Sequence, residues 1–141
     1  MQQLRALSVR QPWAHAIVHH GKDIENRSRR LGHRGWTLIH ASGSATDDEV
    51  AAALGFMSQL GVQPDRGAIR WGGIVGVAKI IDAVDASASS WWMGPYGLVI
   101  DRAHPLPFVE CKGTVAPMFW RPDQVVLDRL RPALDALQLT P

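Results

Sequence analysis

With 141 residues and 46% hydrophobic composition, the chain has the length of one domain and enough apolar content for one compact core. A lone cysteine, Cys111, excludes an intrachain disulfide framework. The apolar runs are too short to span a bilayer, so a cytoplasmic protein without a membrane partner is expected. The formal charge of +2 is unevenly spread: residues 1–34 hold seven Lys or Arg against Asp23 and Glu25, a net +5, and the remainder holds 8 basic against 11 acidic residues, a net −3. That asymmetry favours an anionic ligand, such as a phosphate backbone, near the N-terminal third.

In chain order, residues 4–9 read as a first strand. Pro12 suits the first position of a short helix ending near His20, because it lacks the amide hydrogen that this position leaves unpaired. Trp13, Ile17 and His20, with Ala14 and Val18, form an apolar stripe at helical spacing, which assigns Trp13 to the core. Residues 22–29 extend as a second strand, 30–35 turn, and 36–40 alternate as a third strand ending at Ala41 and Ser42. Thr46 and Glu49 make a capping box, followed on one helix face by the core stripe Val50, Ala53, Leu54, Met57 and Leu60.

Residues 64–70 form a loop, and 73–84 a long strand whose apolar positions are too continuous for one exposed face. Six tryptophans are many for this length, and Trp71, Trp91 and Trp92 fall among Gly, Ser and Arg, where loops are expected. Residues 96–101 and 106–108 read as strand segments interrupted by Pro105 and Pro107, and 109–116 as another. Residues 121–123 open a last helix, about 122–138, which Pro132 should kink or split. Five or six short strands with helices between and after them define an α+β domain.

The chemistry concentrates in Lys22, Glu25 and Arg27, at K-x-x-E-x-R spacing. On a strand Glu25 and Arg27 share a face and can pair, whereas Lys22 has the opposite parity and joins them only if the chain bends, as Gly21 permits. Lys22 is a candidate phosphate contact or base, Glu25 a general base or an orienting partner, and Arg27 a planar fork for phosphate or a base. Arg10 and Gln11 border the start of the first helix, where free amides favour an anion and an amide side chain can read a base edge. His40 and Ser42 supply an imidazole and a hydroxyl at a strand end, without the elbow motif of a serine hydrolase. Trp91, Trp92 and Tyr96 are candidate stacking faces for a base. His15 and His19 are four apart, but no third ligand accompanies them, so no metal or other cofactor is expected. Cys111 reads as a small buried hydrophobe.

The segment Leu7-Ser8-Val9-Arg10-Gln11-Pro12-Trp13, the K-x-x-E-x-R run, His40-Ala41-Ser42 and Gly94-Pro95-Tyr96-Gly97 together resemble the ASCH domain of the PUA-like superfamily. The family motif is G-x-K-x-x-E-x-R. This chain keeps its Lys22, Glu25 and Arg27 but has His20 at the glycine position, with Gly21 one place later. The resemblance runs from about Leu4 to about Trp120. It implies a single domain over 1–141, a PUA-like small β-barrel of five or six strands with flanking helices, and a cleft for nucleic acid or nucleotide-like ligands. The reading that follows is an RNA-related binding module, with DNA as a further candidate partner. The alternative is a hydrolase, in which Lys22 and Glu25 would be catalytic, acting as a ribonuclease or as an amidohydrolase on a modified nucleoside. Similar amidohydrolases use Lys and Thr in the motif, and Glu25 occupies the position of that Thr. A protein-interaction domain is a third reading. The oligomeric state is not legible in the sequence.

Overall fold

A computed structural model describes residues 4–140. Its elements are β1 (Arg5–Val9), α1 (Trp13–His19), β2 (Ile24–Arg27), β3 (Gly35–Ala41), α2 (Asp47–Gln59), a 3₁₀ turn at Arg66–Ala68, β4 (Gly73–Val84), β5 (Tyr96–Glu110), β6 (Phe119–Trp120) and α3 (Gln124–Leu137). The strands form one six-stranded sheet in the order β2-β5-β4-β3-β1-β6, in which β1 and β3 are parallel and the other pairs antiparallel. The class is α+β, as expected, with the sheet curled into a half-barrel.

The curl explains why both faces of the central strands are apolar. Leu7, Ile39, Ala78, Ile80 and Leu98 pack inward with Ile17 of α1. Their neighbours Ala6, Leu38 and Val77 pack outward, under Val126, Leu127, Leu130 and Leu134 of α3. Alternate side chains on a strand point to opposite faces, so one continuous apolar run serves two cores. β2 lies at one end of the sheet order and β1 next to the other, yet Arg27 Nη2 donates to the Ser8 carbonyl at 2.9 Å. That bond spans the open seam of the half-barrel, where the cleft described below lies.

Several elements differ from the sequence expectation. β5 is one strand of 15 residues that runs through Pro105 and Pro107. β2 pairs with β5 only as far as Val99, so both prolines lie where β5 lacks this second partner, and the β4 register shifts beside them. Proline is tolerated at such edges and bulges because no ladder bond is lost. Residues 111–116 are not strand, whereas β6 is an addition of two residues. The last helix runs unbroken through Pro132. On α2 the capping box forms as read, but only Ala53 and Met57 of the stripe are buried. Among the described residues no helix is long and apolar enough to cross a membrane.

Candidate nucleic-acid cleft

Gly21 adopts φ +67°, a left-handed conformation that glycine enters without steric cost, and it turns the chain after α1 so that Lys22 faces the start of β2. Lys22 Nζ donates to Glu25 Oε1 at 3.1 Å and to the Ile24 carbonyl, and Arg27 Nη2 lies 3.0 Å from Glu25 Oε2 as an ion pair. The carboxylate is therefore held between two cations, and the three groups together carry one net positive charge. Lys22 is only 2% exposed, with its ammonium 5.6 Å from the centre of the Trp13 ring. Arg27 is more open: Nη1 meets only the Met118 sulfur, at 3.7 Å, and Nε is buried without a partner among the described residues. The guanidinium thus retains donor capacity at Nη1.

These side chains line a cavity of about 570 Å³, with Arg10 and Trp13 on one wall, Met93 and Met118 on others, and the hydroxyls of Ser8, Ser28, Ser42 and Ser44 around it. Its volume suits a nucleotide-sized ligand. Arg10 stands at the mouth, its side chain 73% exposed and paired with Glu49 of α2. Hydrogen bonds from Thr46 hold the Glu49 carboxyl below its usual range, helped by Arg10. The rest of the basic N-terminal surface is more balanced than its composition suggests. Arg30 faces Asp85 at 3.5 Å and Arg34 faces Asp82 at 3.7 Å, so both belong to paired surface charge.

The motif at the seam, its spacing and its fold coincide with a family match: the model of the ASCH domain covers residues 7–112. The chain belongs to the ASCH domain family. Comparison with the curated proteins gives no match. In this ASCH domain the K-x-x-E-x-R residues are one charge-paired unit, and the glycine one place late in the motif still provides the turn before its lysine.

The remaining site candidates fall elsewhere. Gln11 is buried: its side chain bonds the Arg70 carbonyl at 2.7 Å and the His15 amide at 2.8 Å, while its own amide donates to Ser42 Oγ at 3.2 Å. It braces loops and does not face the cleft. Trp91 is 6% exposed and packs with Phe56, Met57 and Ile24. Trp92 lies against Gly94 and Gly97, and the Tyr96 ring lies 5.7 Å from the Arg30 guanidinium. None of the three lines the cavity, because Asn26 pins the loop at the Trp91 carbonyl and the Met93 and Gly94 amides. Of that loop Met93 reaches the cleft, and the aromatic wall is Trp13, which packs on the core as the helical stripe predicts, with Phe56 at 5.7 Å, and also borders the cavity.

His40 does not face Ser42. Its Nδ1 lies 3.3 Å from Ser8 Oγ, and its Nε2 lies 2.8 Å from the Cys111 carbonyl. A carbonyl only accepts, so Nε2 carries the proton and Nδ1 is the acceptor of the neutral ring. Burial holds this imidazole below its usual pKa, opposed by the Cys111 bond, and burial pushes the Cys111 thiol up. Ser8 Oγ accepts from Trp120 Nε1 at 3.1 Å, and its single proton is shared between His40 Nδ1 and the Thr114 carbonyl, the latter at 3.1 Å. Ser8 and Asn26 escaped the sequence reading. The available signal for Ser8 was a hydroxyl inside the buried run Ala6–Val9, whereas Asn26, between Glu25 and Arg27, had no comparable signal.

Proposed function

We propose that this ASCH domain is a binding module for unpaired RNA, with the seam cleft between β1 and β2 as its site. The observation that carries this reading is the Lys22–Glu25–Arg27 unit: a cavity of nucleotide size whose fixed charge is net positive and whose guanidinium keeps free donors. A phosphate suits Arg27 and the exposed Arg10, and a base suits the Trp13 ring and the methionine walls. Lys22 is too enclosed to be the first contact and serves to hold Glu25. A duplex does not enter a cavity of this size, whereas a splayed nucleotide does.

The hydrolase alternative has less behind it. Glu25 is clamped by two cations, and the Ser8 hydroxyl already has Trp120, Thr114 and His40 around it. Titration against single-stranded RNA, duplex DNA and free acylated nucleosides, with turnover followed in the same tubes, tests both readings. The expected result is tightest binding to single-stranded RNA without turnover, and for Glu25→Gln a retained or raised affinity, because a negative charge leaves the site. Turnover that falls roughly 100-fold in Glu25→Gln at unchanged affinity would make Glu25 a general base and overturn the binding reading.

A further inference from the structure

We propose that the chain carries a second nucleotide subsite beside the seam cleft, built on Trp71, so that its ligand is single-stranded RNA of at least two nucleotides. The inference rests on the RNA reading of the seam cleft and extends it from one nucleotide to a strand. A second cavity, of about 630 Å³, adjoins the first and shares Ser8, Ser42 and Val115 with it. The two therefore form one continuous track. The second cavity adds Trp71 and Lys112 to that track, with Glu110 as its one acidic side chain and Gly43, Gly72 and Gly113 in its lining. Its chemistry is an aromatic face, a cation and hydroxyls, without the fixed charge cluster of its neighbour.

Trp71 is the decisive residue. The residue is 37% exposed, and its indole has no aromatic partner among the described residues. It also lines a third hollow, of about 410 Å³, with Val50, Leu54 and Arg66, so the residue borders open space in two places. An indole left uncovered while its backbone is tightly held is a preformed stacking platform. That backbone is fixed on both sides. The Gly72 amide donates to the Ala41 and Ser42 carbonyls, the Cys111 amide donates to the Gly72 carbonyl, and the buried Gln11 side chain bonds the Arg70 carbonyl. Gln11, which does not reach the seam cleft, thus positions the loop that does the stacking.

The test compares uridine 5′-monophosphate with oligouridylates of two and four residues, titrated by calorimetry against wild type, Trp71→Ala and Trp71→Phe, with a two-residue deoxyuridylate as control. Wild type should bind the two-residue RNA at least about 10-fold more tightly than the mononucleotide, the gain expected of one stacked base. Trp71→Ala should abolish that gain while leaving mononucleotide affinity unchanged, and Trp71→Phe should keep most of it. Equal affinity for one and two residues, or a gain that survives in Trp71→Ala, would overturn the second subsite and leave the seam-cleft reading standing. Failure of every RNA to bind would overturn both, and equal binding of the deoxy control would overturn the assignment to RNA.

Discussion

Lys22 is an ammonium enclosed at the edge of a cleft, and its partners define its role. Removing it leaves the Glu25 carboxylate with one of its two cations, in a site where Glu25 is itself 8% exposed. Breaking a buried pair by deleting one partner is costly, because the surviving charge is poorly solvated. Lys22→Ala should therefore lower stability by about 3 kcal/mol in urea unfolding, whereas Arg10→Gln, at an exposed pair, should change it by less than about 1 kcal/mol. Equal, small effects of both would show that Lys22 is not a structural cation. The shared face of Glu25 and Arg27 was legible from the two-residue period of a strand, and the turn at Gly21 from the conformational freedom of glycine. The pairing of His40 with Ser8 was not, because it joins neighbouring parallel strands 32 positions apart. Nor was the place of Trp13, since helical spacing identifies an inward face without saying that a cavity adjoins it.

At the scale of elements, α1 carries a cluster of titratable rings. His15 is buried, its ring 4.5 Å from that of His19 and 5.4 Å from that of His20. Burial and the neighbouring imidazoles lower its pKa from the usual 6.5 to about 4, with Asp65 acting weakly the other way, and His20 is lowered for the same reasons. In the unfolded chain His15 takes up a proton near pH 6.5, and in the folded chain not until about pH 4. The unfolded state binds more protons between these values, so stability is full above 6.5, falls as the pH drops to about 4, and levels off below. The urea midpoint should drop across that window in the wild type and drop less in His15→Gln. An identical pH slope in the variant would remove His15 as the cause. The capping box of α2 and the limits of β4 were readable from local signals. β5 was not, because whether a proline interrupts a strand depends on how many partners the strand has, a property of the assembled sheet.

For the whole molecule, the sheet order separates β1 and β2, and the curl brings them together. The α+β class and the strand count follow from patterns in the chain, but the seam itself is a long-range consequence of twist and two-faced packing. The cleft exists because the seam stays open there, bridged by Arg27 and the Ser8 carbonyl and lined by charge from β2 and by the Arg10 and Trp13 that follow β1. The +5 charge of the first 34 residues points to this region only loosely, since Arg30 and Arg34 answer to aspartates at the β4 end. The central claim is that this cleft holds RNA through its phosphates, and the salt dependence of affinity measures it most directly. Log affinity for a short single-stranded RNA should fall linearly with log salt, and Arg10→Gln should flatten the slope by about 0.7, the value for one lost contact to a single strand. An affinity independent of salt, or a slope unchanged in Arg10→Gln, would contradict it.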